Sequence, residues 1–139
     1  MKRILITCAI IVMAMTAFGQ SKEQARVEKF MKDKGWTQTD VNRWADLKEG
    51  GYTSWWSRHF YSALEYAVIA FSDDPDVEDV DVEVRDMDGD IIAEDKDSDD
   101  WGIATFTLDE AQSLKIKMTN YSSKTPSYAS RCRYLIFYK

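Results

Sequence analysis

The chain contains few of the residues on which stapled domains and most hydrolases depend. Cysteine occurs twice, as Cys8 and Cys132, and histidine once, as His59. If a leader carrying Cys8 is removed, no intrachain disulfide is possible. A single histidine excludes the histidine pair of a zinc protease, and no nucleophile elbow or glycine-rich phosphate loop is present. We therefore expect a non-enzymatic protein, with a small hydrolase using His59 as the alternative.

Positive charge is scarce in the middle of the chain. The formal net charge is −6, and loss of Lys2 and Arg3 with a leader takes it to −8. Between Asp73 and Asp100, fifteen acidic residues stand against two basic ones. Nucleic acids and anionic lipids bind basic surfaces. The charge distribution therefore argues against a nucleic-acid partner and against binding of anionic lipid through this acidic block.

Long apolar runs are absent except at the N terminus. Lys2 and Arg3 precede a mostly apolar stretch, which ends with Ala17 and Gly19 at the two positions that a signal peptidase reads. This pattern predicts a signal peptide over residues 1–19, cleaved after Gly19. The rival interpretation, an uncleaved anchor, needs a spanning helix of about 20 apolar residues. We expect a periplasmic or secreted protein with no membrane span after cleavage.

Residues 20–50 are predicted to form a helical preface. Ser21 and Gln24 have the spacing of a capping box, and Gly35 is a suitable C-terminal stop for the first helix. A second helix is expected over residues 39–48, because apolar residues recur there at roughly helical spacing. These apolar residues are Val41, Trp44, Ala45 and Leu47.

Residues 51–139 are predicted to form an antiparallel β-sandwich. Val80, Val82 and Val84 alternate with charged residues, as in a strand with one buried face. A turn follows, in which Gly89 can adopt a positive φ angle. Six or seven short strands with regular turn signals are visible in all, and we expect a sandwich of about seven or eight strands in a jelly-roll or Greek-key arrangement, with one or two short N-terminal helices.

Three segments carry a resemblance to a known family. They are residues 65–74 (EYAVIAFSDD), residues 79–90 (DVDVEVRDMDGD) and residues 133–138 (RYLIFY). Together they resemble the bacterial pre-peptidase C-terminal domain family. The resemblance implies a β-sandwich of the kind found as an accessory module on secreted bacterial enzymes, often peptidases, and some members of that family bind calcium. We expect a small stand-alone secreted protein that contains such a domain.

The acidic block is a candidate calcium site. Calcium takes six to eight oxygen ligands, often several from one loop. Two predicted loops carry acids, and we expect the ligands among Asp73, Asp74, Asp76, Asp79, Asp97 and Asp99. The alternative is a solvated acidic surface that binds no ion.

The strand that contains Asp79, Asp81 and Glu83 places like charges two residues apart on one face. Such charges repel each other unless neighbouring strands supply opposite charge. Lys115 with Lys117, and Arg131 with Arg133, form outward basic pairs on other predicted strands. We hypothesise that these basic strands flank the acidic strand and neutralise it. If they do, any ion would bind in the loops rather than on the strand face.

Two further features remain open to alternative interpretations. Tyr52, Trp55 and Trp56 are a candidate glycan platform, although aromatic residues more often pack in cores. Cys132 is expected to be buried, with an intermolecular disulfide as the alternative. The expected function is an exported binding module for an unknown protein or glycan partner. The alternatives are a calcium-binding accessory domain and the hydrolase using His59.

Overall fold

The computed structural model describes residues 20–139, in which one helix precedes eight strands. The predicted signal peptide, residues 1–19, lies outside the described residues. The helix within residues 20–139 is not long and apolar enough to cross a membrane. The elements are α1 (Lys22–Asp33), β1 (Thr37–Leu47), β2 (Trp56–Phe60), β3 (Glu65–Ser72), β4 (Val77–Asp86), β5 (Ile91–Asp95), β6 (Gly102–Thr107), β7 (Gln112–Ser123) and β8 (Ser130–Tyr138).

The strands form two four-stranded antiparallel sheets, which confirms the predicted sandwich. Sheet A has the order β1-β8-β3-β6, and sheet B has the order β2-β7-β4-β5. Strand β1 pairs with β8, β2 with β7, β3 with β6, and β4 with β5. The chain is therefore one long hairpin folded over into two sheets, which is the jelly-roll arrangement. Strands β1 and β2 lie at the edges of their sheets on the same side of the sandwich.

The period-two pattern places the core of the sandwich as predicted. On β4, Val80, Val82 and Val84 are almost fully buried between the sheets. On β7, Met118 lies opposite Val82 and Ile116 lies opposite Val84, and both are buried together with Leu114. Gly89 has a φ of +100° in the turn between β4 and β5, where its lack of a Cβ allows that conformation.

Helix α1 covers the outer face of sheet A. Ser21 caps the helix by accepting a hydrogen bond from the Gln24 backbone N–H at 3.0 Å, as the capping pattern predicts. Val27 and Met31 pack onto β3 and β8, whose residues on this face are Ala67, Ile69, Phe71, Leu135 and Phe137. Because both faces of β3 and β8 are covered, their sequences are continuously apolar rather than alternating.

The predicted second helix is wrong: residues 37–47 are strand β1. Val41, Ala45 and Leu47 are separated by even numbers of residues, and they point into the sandwich core, where Val41 and Leu47 are buried. The apparent helical spacing came from counting Trp44, which is 54% exposed on the opposite face. Antiparallel pairing with β8 decides the conformation, and residues 37–47 therefore belong to sheet A rather than to a helical preface.

Candidate functional site

An aromatic cleft opens between the two sheets along their shared edge. Strand β1 of sheet A forms one wall, and the segment from Tyr52 to Trp56, which leads into β2 of sheet B, forms the other. The cleft has a volume of about 300 Å³, at the lower end of the range for small-molecule pockets. Its aromatic and hydrogen-bonding residues are Arg43, Trp44, Tyr52, Thr53, Ser54, Trp55, Trp56 and Tyr134.

The wall formed by residues 52–56 is held in place by hydrogen bonds to β7. The Thr53 backbone N–H donates to the Met118 carbonyl at 2.9 Å, and the Thr53 hydroxyl accepts from the Met118 N–H at 3.1 Å. Just before this wall, Gly50 donates to Asn120 at 2.7 Å, and Asn120 donates to Gly51 at 3.0 Å. These bonds continue the pairing with β7 beyond the N-terminal end of β2. The cleft is therefore a preformed feature of the sandwich.

Tyr134 of β8 lines the inner part of the cleft and has an unsatisfied hydroxyl. The residue is 2% exposed, and its Oη has no hydrogen-bond partner among the described residues. Burial raises the pKa of this hydroxyl above its ordinary value, although the charge of Arg43 acts in the opposite direction. The phenol is therefore neutral at physiological pH, and it can both donate and accept a hydrogen bond.

Cations surround the indole rings of the cleft. The Arg43 guanidinium lies 4.7 Å from the centre of the Trp56 ring. The Lys117 ammonium lies 4.9 Å from the Trp55 ring centre, and the Lys115 ammonium lies 5.4 Å from it. These are cation–π distances, which favour fixed indole orientations. The arrangement places positive charge over the faces of both indole rings.

The structure brings together the three residues of the predicted platform. Tyr52, Trp55 and Trp56 all line the cleft, with Tyr52 66% exposed and Trp55 39% exposed. Phe60, which belongs to the same aromatic run in the sequence, is buried in the core instead. Sequence reasoning missed Tyr134, because one inward residue of a long apolar strand looks like any other core residue.

Asp73, the first predicted calcium ligand, is bound by protein groups. The Arg133 guanidinium donates to both of its carboxylate oxygens, with a shortest N–O distance of 2.6 Å. The Ser21 hydroxyl donates to it at 2.5 Å. Arg133 also donates to Asn42 at 2.8 Å. Asp73 therefore joins the helix cap to strands β1 and β8.

The two acids that follow in the β3–β4 loop also accept hydrogen bonds from protein groups. Asp74 accepts from the Ser130 hydroxyl at 3.1 Å, and Asp76 accepts from the Thr125 hydroxyl at 2.9 Å and the Thr125 backbone N–H at 3.1 Å. These contacts attach the β3–β4 loop to the β7–β8 loop. They give both carboxylates a structural role that needs no ion.

The remaining three predicted ligands lie on other elements. Asp79 lies on β4, whereas Asp97 and Asp99 lie in the segment of residues 96–101 between β5 and β6. Within residues 20–139, no three Asp, Glu, His or Cys side chains are already arranged to hold a metal ion. The six predicted ligands are therefore not assembled around one point in the described residues, and calcium binding stays a prediction.

The pairing hypothesis holds for one of the two basic strands. Strand β7 adjoins β4, with Lys117 opposite Glu83 at an N–O distance of 3.9 Å. Lys115, by contrast, is opposite an arginine of β4. Arg131 and Arg133 lie on β8 in sheet A, so they do not flank the acidic strand. Neutralisation of β4 by its neighbours is therefore local to Glu83.

His59 is exposed to solvent, whereas Cys132 is buried in the core. His59 is solvent-exposed on β2, and its Nδ1 lies 3.5 Å from the Ser113 hydroxyl oxygen. Cys132 is fully buried and unpaired, as predicted. Burial raises the pKa of its thiol from 9.0 to about 11, so the thiolate is scarce at neutral pH.

Comparison with known proteins adds no relative: no family model matches the chain, and no curated protein matches it significantly. The β-sandwich is common to many unrelated proteins. Function must therefore be argued from the site itself.

Proposed function

We propose that this protein is an exported, non-enzymatic binding module, and that its aromatic cleft holds a sugar unit of a glycan. The observation that supports the proposal most directly is the hydroxyl of Tyr134. Leaving a buried hydroxyl without a partner destabilises a fold by about 1–3 kcal/mol. A ligand hydroxyl in the cleft would supply the missing partner once the cleft walls move apart, because the Tyr134 oxygen is itself buried.

The other lining groups suit the same ligand chemistry. A sugar ring has apolar C–H faces and a rim of hydroxyl groups. Trp55 and Trp56 supply aromatic walls whose rings carry cations, while Arg43, Thr53 and Ser54 supply hydrogen-bonding groups. A pocket with apolar walls and a few fixed polar groups is the usual form of a small-ligand site.

The proposal keeps two predictions that come from the sequence. The N-terminal pattern of residues 1–19 supports export, and the resemblance to the pre-peptidase C-terminal domain family supports an accessory rather than a catalytic role. The hydrolase alternative gains little from the geometry. His59 has a serine neighbour, but its hydrogen-bond partner is not a carboxylate that would orient the ring as in a triad.

The test combines a glycan array with matched variants. Purified protein is screened on an array of neutral and acidic oligosaccharides, and the affinity for any hit is measured by calorimetry. Trp55→Ala removes an exposed wall of the cleft, and Tyr134→Phe removes only the hydroxyl. Tyr128→Ala is the matched control, because Tyr128 is 56% exposed and lies outside the cleft.

We expect both cleft variants to weaken binding at least tenfold, the loss of about 1.4 kcal/mol, and the control to bind like the wild type. Tyr134→Phe should also raise the melting temperature of the free protein, because it removes an unsatisfied buried polar group. Weaker binding with higher stability is not expected of a purely structural tyrosine. Unchanged affinity in both cleft variants, or no array hit at all, would contradict the proposal.

A further inference from the structure

Asp79 is buried and Asp81 is half-buried on β4, and each has one buried carboxylate oxygen without a partner. Asp79 is 5% exposed, and the Oδ1 atoms of Asp79 and Asp81 accept no hydrogen bond from the described residues. An unpaired buried charge destabilises the folded state until a proton or a counterion neutralises it. On the same strand, Glu83 contacts both Arg85 and Lys117. The missing partners are therefore specific to Asp79 and Asp81.

The segment that connects β5 to β6 ends directly on these two acids. A Cβ atom added to Gly102, the first residue of β6, would lie 2.5 Å from the Val80 carbonyl oxygen and 3.2 Å from the Asp81 carbonyl carbon. The two backbones are thus in close contact at this point. Residues 96–101 must therefore pass beside β4 at Asp79 and Asp81, and three of them carry exposed carboxylates: Asp97, Asp99 and Asp100.

Asp95 fixes both ends of this acidic segment. One of its carboxylate oxygens accepts from the Asp97 backbone N–H at 2.9 Å, and the other accepts from the Ile103 N–H at 2.7 Å. The segment's own cation, Lys96, forms an ion pair with Glu94 at 2.9 Å. Its charge only partly offsets the acids around Asp81, whose pKa is still raised by burial and by Asp95.

Electrostatics supports the same grouping. The pKa of Asp79 is raised from 3.8 to about 6, chiefly by burial and then by the charges of neighbouring acids. These neighbours are Asp81, Asp95, Asp99 and Asp100. Asp79 is therefore a buried carboxylate that faces a group of like charges from two different elements.

We propose that a calcium ion binds between β4 and the β5–β6 segment, with Asp79 and Asp81 as its inner ligands and Asp97, Asp99 and Asp100 as its outer ligands. The ion would supply the missing partner of both buried oxygens and neutralise the like charges around them. Within residues 20–139 no three acids are already arranged around one point, so binding would require the exposed segment to close over the ion.

The ligand chemistry favours calcium over magnesium. All five proposed side chains offer oxygen, which both ions accept. Magnesium requires a near-ideal octahedron of short bonds, whereas calcium accepts six to eight ligands in a flexible geometry. A site formed by closure of a surface segment on a rigid strand suits the less demanding ion.

The experiment measures the melting temperature of the full protein in chelator, in about 1 mM calcium chloride and in about 1 mM magnesium chloride, near the affinity of extracellular calcium modules. We expect calcium to raise the melting temperature of the wild type by several degrees and magnesium to raise it less. Asp79→Asn should remove the calcium response. Asp88→Asn is the matched control, because Asp88 is an exposed acid in the β4–β5 turn, and it should keep the full response.

A second variant tests whether the loss of the calcium response in Asp79→Asn comes only from a change of fold at the buried position. Asp97→Asn combined with Asp99→Asn alters only the exposed segment, and it should also reduce the calcium response while the chelated protein melts like the wild type. A flat response of the wild type to calcium would overturn the proposal. So would a full response in the Asp79→Asn protein. Glycan binding by the cleft is measured separately and does not depend on either result.

Discussion

At the scale of single residues, the most informative feature is the contrast between satisfied and unsatisfied buried polar groups. Arg133 is almost fully buried, yet its guanidinium donates to Asp73 and Asn42. Tyr134, the next residue on the same strand, has a hydroxyl with no partner. Because native folds satisfy nearly all buried polar atoms, the exceptions deserve an explanation. Among the exceptions in residues 20–139, Tyr134 points to the aromatic cleft and Asp79 to the acidic segment.

The first residue-scale prediction concerns the pH dependence that Asp79 contributes. Its pKa is raised from 3.8 to about 6 in the folded state, first by burial and then by neighbouring acids. Between these values the folded protein holds a proton that the unfolded chain has lost, so this carboxylate lowers stability as pH rises. The full penalty, about 1–3 kcal/mol, is reached above pH 6.

Urea denaturation in the presence of chelator measures this effect. Asp79→Asn should be more stable than the wild type at about pH 7.5, with the difference shrinking towards about pH 4. Asp88→Asn, which alters an exposed acid, should show no such trend. Equal stability of wild type and Asp79→Asn at the higher pH would contradict the assignment of an uncompensated carboxylate.

At the scale of elements, helix α1 explains why two strands of sheet A are apolar on both faces. Val27 is fully buried and Met31 is 3% exposed against β3 and β8. The helix is further fixed by Trp101, whose indole N–H donates to Glu23 at 2.6 Å. The helix therefore acts as a third layer, because without it the outer face of β3 and β8 would be exposed to water.

The element-scale prediction tests this packing. Met31→Ala should lower the free energy of unfolding by about 2–4 kcal/mol, because it removes a buried side chain and leaves a cavity. Lys29→Ala on the exposed face of the helix should change it by less than about 0.5 kcal/mol. Both values come from urea denaturation. Equal, small effects would mean that the helix contributes little to the fold.

At the scale of the whole molecule, the jelly roll is held by contacts between distant parts of the chain. The first strand pairs with the last and the second with the seventh, so each half of the chain depends on the other for its sheets. No disulfide links the described residues, and Cys132 is a buried, unpaired thiol. Stability therefore comes from the buried core and from buried hydrogen bonds rather than from covalent staples.

The whole-molecule prediction uses Cys132 as a reporter of global unfolding. Because the thiol is fully buried and its pKa is raised to about 11, it should not react with a thiol reagent in the native protein. It should react fully in denaturant, and a reducing agent should leave the melting temperature unchanged. Rapid reaction under native conditions would show that the β8 region opens without global unfolding.

The sequence by itself determined the elements whose patterns are local. Alternation of valines with acids is enough to identify β4, and the serine cap is enough to start α1. It also identified Tyr52, Trp55 and Trp56 as residues of one surface, because they are close neighbours in the chain.

Tertiary structure decided what depends on pairing between distant segments. Residues 37–47 became a strand because β8 required a partner at the edge of sheet A. Tyr134 became part of the cleft because β8 passes beneath a wall that comes from the other sheet. Asp73 and Asp79 have different environments: Asp73 forms an ion pair with an arginine, whereas the neighbouring charges of Asp79 are all acidic. Periodicity along the chain reports which face of an element is buried, and only the fold determines which groups meet there.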